Sequence, residues 1–569
     1  MRPAALSPAA RADALASFES NELDVLVVGG GVVGAGAAMD AATRGLRTAI
    51  VEARDWASGT SSRSSKLIHG GLRYLEMFDF GLVREALHER SLLLNRIAPH
   101  LVHPVPFLYP LTHRYWERPY VGAGVMIYDT LAATSREPQR LPRHKHLTRR
   151  AALRQTPSLS PHVLAGAVQY WDAQVDDARF TATLVRTAVS YGALAANRCQ
   201  VTEFLRSGDA VVGARLLDTE TGATIDVRAR QVINATGVWT GDLPGVAWKA
   251  NGLRVRASKG VHLVVPRERL RSATGIITRT ERSVLFVIPW RQHWIIGTTD
   301  TDWDLGKDNP SASARDIDYL LDHVNAILRK PLRREDVIGV YAGLRPLVDG
   351  TASTTAKLSR EHTISRVAPG LVVVAGGKFT TYRVMAAQAV DEAASGLEKK
   401  VPPSCTDRVP LAGASGYLAL WNRRNELAAE HRLHLARIEH LLNRHGDLAD
   451  QLLELVEADP ALGELLPGTQ DYLRAEAVHA VTHEGARHLD DVLTRRTRLS
   501  IEASDRGTAA APVVAELIAP HLGWSEADTA RELRHYEAGV AAELQSEGEP
   551  DDQAAEAAQA RALETVFSA

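Results

Sequence analysis

Residues 24–34 read Asp24-Val-Leu-Val-Val28-Gly29-Gly-Gly31-Val-Val-Gly34. A short apolar run rich in β-branched residues that stops at glycines reads as a buried parallel strand. The Ala-rich stretch from Ala35 to Arg44 reads as a helix ended by Gly45, and Thr48-Ala-Ile-Val51 as a second buried strand. Together they form a β-α-β unit around a GxGxxG turn. Gly29 allows the tight turn, Gly31 lets the backbone approach a pyrophosphate, and Gly34 lets the helix pack on the strand. The pyrophosphate sits at the helix N-terminus, where free N–H groups and the dipole favour an anion. Glu52 follows the second strand, 21 residues after Gly31. A carboxylate there accepts hydrogen bonds from a ribose 2′-hydroxyl and repels a 2′-phosphate, so the ligand is FAD or NAD rather than NADP.

The residues that follow favour FAD. An NAD enzyme usually keeps its sheet in one continuous stretch. Here the β-α-β unit runs instead into Trp56-Ala-Ser-Gly-Thr-Ser-Ser-Arg-Ser-Ser-Lys-Leu-Ile-His-Gly-Gly-Leu-Arg-Tyr-Leu75. Small hydroxyl residues and glycines build no core, but they wrap closely around an extended ligand.

Composition narrows the class. The 569 residues are 45% hydrophobic and 24% charged, which excludes a disordered, collagen-like or coiled-coil chain. With 66 basic and 68 acidic residues the net charge is −2, so no nucleic-acid partner is expected from overall charge. The two cysteines, Cys199 and Cys405, have neither metal-ligand nor redox spacing, which leaves no disulfide framework and no metal site. No apolar stretch is long enough for a transmembrane helix.

From the first strand to about residue 398, strand and helix patterns alternate. Strands are expected at Ala210–Leu217, Gln231–Ala235, Val261–Val265, Val284–Ile288, Trp294–Gly297 and Leu371–Ala375. After the linker Glu398-Lys-Lys-Val-Pro-Pro-Ser404 the spacing turns helical, over Leu418–Leu442, Asp447–Glu457, Tyr472–Thr482, Leu489–Arg495, Pro512–Ile518 and Ser525–Leu544. The expected division is a frayed extension at 1–22, an oxidoreductase unit at 23–398 and a separate helical domain at 405–569. The acidic Ser546–Asp552 stretch is expected to be mobile.

Further motifs carry a resemblance. Thr60-Ser-Ser-Arg-Ser-Ser-Lys-Leu-Ile-His-Gly-Gly-Leu-Arg-Tyr-Leu-Glu76 resembles the signature of FAD-dependent glycerol-3-phosphate dehydrogenases, which pass electrons to a membrane quinone. The likeness continues in Tyr170-Trp-Asp-Ala-Gln-Val-Asp-Asp-Ala-Arg179, Ile233-Asn-Ala-Thr-Gly-Val-Trp239, Gly297-Thr-Thr-Asp-Thr301, Gly343-Leu-Arg-Pro346, Ser359-Arg-Glu361 and Gly376-Gly-Lys-Phe-Thr-Thr-Tyr-Arg383. It reaches the helical region through Ala486–Leu499 and covers about residues 20 to 500 in family order.

The resemblance implies an α/β fold plus an all-α part. A glutathione-reductase-like, Rossmann-type FAD domain (about 23–100, 160–250 and 343–398) interleaves with an antiparallel-sheet substrate domain (about 101–159 and 251–342), and a helical cap follows. It implies FAD held by Gly29, Gly31, Gly34, Glu52, Ala53, Thr60, Ser61, Ser64, Lys66, His69, Ala235, Gly237, Gly377, Lys378 and Thr380. It implies sn-glycerol 3-phosphate as substrate, its phosphate on Arg73, Tyr74 and Arg360, with Arg345 and Lys378 nearer the reacting hydroxyl. Arginine forks and lysines suit a phosphate dianion.

Oxidation at C2 needs a base. His69 and a desolvated Lys378 qualify by pKa, whereas Arg345 is a poor base but stabilises an alkoxide. The residues leave that choice open, and they leave a glycerol-3-phosphate oxidase using oxygen, or a flavin-bound scaffold, as alternatives. A quinone acceptor places the protein on the cytoplasmic face of the cell membrane as a peripheral protein, and the family leans towards a homodimer. The basic run Arg143-His-Lys-His-Leu-Thr-Arg-Arg150 reads as a solvated face or a contact for an acidic membrane surface.

Overall fold

The computed structural model describes residues 4–113, 115–135, 141–243, 255–281, 284–348 and 362–567. Two sheets organise it. The first has a parallel centre: β1 (Leu23–Val28) lies between β2 (Thr48–Val51) and the strand Thr224–Asn234, and Leu371–Gly376 continues the order outward. All six residues of β1 are buried, as a strand covered on both faces requires. The helix Val32–Thr43 packs on that sheet and against the helices Asp177–Ser190 and Tyr382–Ala394. Its core-facing Ala35, Ala37, Ala38 and Ala41 are small enough to let three helices approach closely.

The second sheet is mixed and has ten strands, with Val255–Pro266 paired to both His293–Gly297 and Gly339–Val348. The strand Gly166–Val175, expected in the FAD part, belongs to this sheet through its long antiparallel pairing with Val102–Leu111. Each expected strand is present, most of them longer than expected. Trp290 and Trp294 are buried in this sheet.

The helical region begins with three short helices, Tyr417–Asn422, Arg424–Glu430 and Leu435–His445, where one long helix was expected. The segment expected as the helix Leu489–Arg495 is a π-helical turn, Asp491–Thr497. This region has its own apolar cores, but its seam with the rest is charged. Both carboxylate oxygens of Asp55 accept from Arg496, at 2.7 Å each, and one also accepts from Arg495 at 2.6 Å. Arg498 reaches Asp176 at 2.6 Å and also pairs with Asp177, while Arg444 meets Asp176 at 3.0 Å. Burial alone would raise the Asp176 carboxyl, but Arg498, Arg444 and Lys66 hold it well below the usual carboxylate range.

Two expectations of disorder are corrected. The N-terminal segment forms the helix Pro8–Ser20, capped by Ser7, with Ala14 and Phe18 buried and Arg11 on Asp218 at 2.6 Å. The acidic stretch near residue 550 is ordered because cations meet it. Asp552 accepts from the buried Lys259 at 2.6 Å, and Glu547 from Arg506 at 2.8 Å. Asp552 opens a last helix, Asp552–Phe567, packed on Glu526–Gly548.

Two predictions follow from these charges. Asp55→Ala strands Arg495 and Arg496 without their carboxylate, so chemical unfolding should show a loss of about 3–5 kcal/mol. His488 bonds Glu220 and Glu532 at 2.9 Å each, and these carboxylates outweigh its desolvation, raising it to about 9. A raised folded pKa contributes stability that is complete below an unfolded value of about 6.5 and is lost as pH rises through about 9. Thermal unfolding across that window should fall more steeply for the parent than for His488→Gln.

Candidate active site

The first strand delivers the chain into a turn that only glycine permits. Gly29 has φ +111°, and a Cβ there would stand 2.7 Å from the Ala235 carbonyl oxygen. A Cβ on Gly34 would overlap the Gly29 carbonyl, so Gly34 packs helix on strand and leaves the ligand to its neighbours. Beyond this turn opens a cavity of about 1060 Å³, at the upper end of the size of ligand pockets. It runs from Gly29 and Gly31, past Glu52 and Ala53, to Gly343–Leu347 and Gly376–Thr380, where the two sheets meet.

Glu52 is held by backbone. Its Oε2 accepts from Gly30 N at 2.6 Å and its Oε1 from Arg54 N at 2.9 Å. Burial pushes its carboxyl up, and those two N–H groups oppose the rise. Ser61 Oγ accepts from Val32 N at 2.9 Å, and Thr60 Oγ1 donates to the Leu344 carbonyl at 2.6 Å. Ala235 and Gly237 line the cavity at the end of the parallel strand. Gly377 (φ +86°), Lys378 and Thr380 line its other end, just before the helix Tyr382–Ala394. Thr380 Oγ1 lies 3.2 Å from both N and O of His69, which also lines the cavity.

Lys66 is a correction. Its side chain is fully buried and donates to Asp177 at 2.8 Å and to the Ser62 carbonyl at 3.1 Å, within the charged seam. Lys66 starts the turn into the two-residue strand Leu67–Ile68, and that geometry sends its ammonium towards the helical region. Ser64 lines the cavity while its hydroxyl donates to Asp177 at 2.7 Å.

Of the expected substrate cations, Arg345 and Lys378 line one cavity. Arg345 Nη2 donates to Thr298 Oγ1 at 3.0 Å and to the Thr299 carbonyl at 3.2 Å, with Asp300 at 3.5 Å from Nη1. The Lys378 ammonium lies 3.7 Å from the centre of the Tyr74 ring. Arg360 and the Arg73 side chain lie outside the described residues.

Two residues escaped the sequence reading. Arg63 lines the cavity, and burial lowers its guanidinium to about 10. His262 lies on the strand Val255–Pro266, stacked on Tyr341 with ring centres 4.7 Å apart and Nε2 2.8 Å from Ser65 Oγ. Burial, then Arg345 and Lys66, hold it well below the usual imidazole range, so it is neutral. Its Nδ1 is buried and has no hydrogen-bond partner among the described residues. Both lay inside stretches already singled out, but period-2 patterning does not say which strand histidine meets a cavity.

Residues 24–391 match the family model for FAD dependent oxidoreductases, and 404–529 match the C-terminal domain of alpha-glycerophosphate oxidase. The chain is 52% identical to glycerol-3-phosphate dehydrogenase 2 of Mycobacterium bovis, over 99% of this chain and 95% of that protein. The chain belongs to the FAD-dependent glycerol-3-phosphate dehydrogenase family. It is 36% identical to the human mitochondrial glycerol-3-phosphate dehydrogenase over 94% of this chain and 76% of that one. The structure of a Bacillus halodurans glycerol-3-phosphate dehydrogenase complexed with FAD superposes with a TM-score of 0.76 at 28% identity, covering 94% of this chain and 98% of that one.

FAD is the cofactor of this family, and the residues present fit it. The glycine turn admits backbone close to a pyrophosphate, the Gly31 cap leaves the helix N-terminus without a side-chain acceptor, and Glu52 offers its carboxylate beside them. Glu52→Ala should weaken FAD retention about ten- to a hundredfold, as loss of a hydrogen bond to a charged group predicts. Fluorescence of released flavin on dilution measures this.

Proposed function

We propose that this protein oxidises sn-glycerol 3-phosphate at C2 to dihydroxyacetone phosphate and that its electrons pass to a quinone dissolved in a membrane. One observation carries the substrate reading: two cations, Arg345 and Lys378, line the same cavity as a buried neutral histidine, His262, beside the cofactor cradle. Bound FAD supplies a two-electron acceptor for the C2 hydrogen with its electron pair.

The protein's own residues do the rest. Lys378 and Tyr74, with Arg73 and Arg360 as implied by the family motifs, hold the phosphate. Arg345, kept in place by Thr298, Thr299 and Asp300, stabilises negative charge at the C2 oxygen. His262 takes the hydroxyl proton. Its ring is unprotonated, as a base must be, and a phosphate dianion brings the negative charge that favours its protonated form. This reading moves the base from His69 and Lys378 to His262. His69 keeps the place of a cofactor partner next to Thr380.

An oxygen-using oxidase is a second reading, favoured by the match of residues 404–529 to a glycerophosphate oxidase domain. The test is an anaerobic absorption spectrum of the FAD-loaded protein before and after sn-glycerol 3-phosphate. Bleaching of the flavin band, restored by a quinone analogue with little peroxide formed in air, bears out the proposal. Bleaching restored by oxygen with stoichiometric peroxide replaces the acceptor, and no bleaching overturns the substrate. His262→Asn should lower kcat by about 10²–10⁴, as loss of a general base does, while KM changes little.

A further inference from the structure

We infer that a face built from Met77–Phe80 and the helix Glu117–Ala133 docks on an anionic lipid bilayer, an inference that rests on the membrane-acceptor reading above. Twelve large hydrophobic side chains are exposed among the described residues, and eight of them lie between Met77 and Ile127. Tyr115 is 83% and Phe78 78% exposed, and Trp116, Met77 and Met126 are each more than half exposed. Single exposed apolar side chains are ordinary, but a cluster of this kind marks an interaction surface.

The residues are neighbours in space. Rings of Phe78 and Phe80 lie 6.3 Å apart, and those of Trp116 and Tyr120 6.2 Å apart. The Tyr120 hydroxyl donates to Glu76 at 3.3 Å, which joins the helix to the Met77–Phe80 loop. Phe78 sits in the left-handed region at φ +58°, a costly conformation for an aromatic residue. The chain accepts that strain with the ring outside the core.

The chemistry selects a lipid surface over an aqueous protein partner. Tryptophan, tyrosine and phenylalanine beside methionine and isoleucine are the side chains that settle at a bilayer interface. The acids near the patch are engaged: Glu76 with Arg279 and Tyr120, Asp79 with Leu82 N, Glu117 with the Thr112 and His113 N–H groups, and Asp129 with His144. The cations are not so used. Arg143 and Lys145 are exposed and flank His144 and His146, and those rings contact Asp129 and Gly122 of the same helix. Apolar centre and basic rim together match anionic headgroups over acyl chains. The face also adjoins the site, since Tyr74, whose ring meets Lys378, lies one turn before Met77.

The test uses the full-length FAD-loaded protein and vesicles of phosphatidylcholine alone or mixed with phosphatidylglycerol. The parent should co-sediment with the mixed vesicles. Phe78→Ser/Trp116→Ser should bind at least about tenfold more weakly, as losing two buried aromatic side chains predicts. Arg143→Glu/Lys145→Glu should lose about fivefold or more per charge and most of its salt dependence. Both variants should keep the parent's turnover of sn-glycerol 3-phosphate with a water-soluble dye, which shows that they fold. Unchanged vesicle binding in both variants, or none in the parent, overturns the inference. So does a parent dimer that the aromatic variant makes monomeric while vesicle binding stays intact, because a second copy then covers the face. If the parent binds vesicles as expected but shows no dye-linked turnover, the proposed function fails and the docking face stands.

Discussion

Everything in this molecule leans on a buried seam of charge between the helical region and the oxidoreductase unit. Asp55, Asp176 and Asp177 are taken out of water where no apolar contact repays the loss of hydration. They stay ionised because arginines 495, 496, 498 and 444 and Lys66 stand at hydrogen-bond distance. Removing any one partner leaves a charge alone in a low-dielectric interior, which is far costlier than never burying the pair. The seam therefore converts two sets of elements with separate apolar cores into one cooperative body.

That body positions the cofactor cradle. The chain from Glu52 to Lys66 is pinned at successive points: Glu52 by Gly30 and Arg54, Asp55 by the arginines, Ser61 by Val32, and Ser64 and Lys66 by Asp177. A hydroxyl-rich segment with few apolar side chains has no core of its own to hold it. Polar contacts on one side and the cavity on the other give it a single shape. The same logic operates across the cavity, where Arg345 is aimed by Thr298, Thr299 and Asp300 and His262 is kept neutral by burial and by the neighbouring cations.

Legibility in the sequence followed the range of the forces. The β-α-β unit was readable because its causes are local: backbone freedom at Gly29, close packing at Gly34, an acid at Glu52. The strands of both sheets were readable from apolar runs. The ordered N-terminal helix and the acidic turn near residue 550 were not, because their order comes from Asp218 and Lys259, each far off in the chain. Lys66 was misassigned for the same reason. A lysine in a ligand-wrapping motif and a lysine in a buried ion pair look alike until Asp177 is brought beside it. The family motifs Tyr170–Arg179 and Ala486–Leu499 proved to be the two halves of the seam.

The sequence by itself determined the cofactor class, the two sheets and the helical part, because glycine turns, β-branched runs and helical periods act over a few residues. Only the tertiary structure decided that His262 and Arg63 face the cavity while Lys66 turns away from it. It alone gathered Phe78, Trp116, Tyr120 and Ile127 onto one surface. Side-chain direction, burial and the charge of a neighbour are set by contacts between distant segments, and no local pattern encodes them.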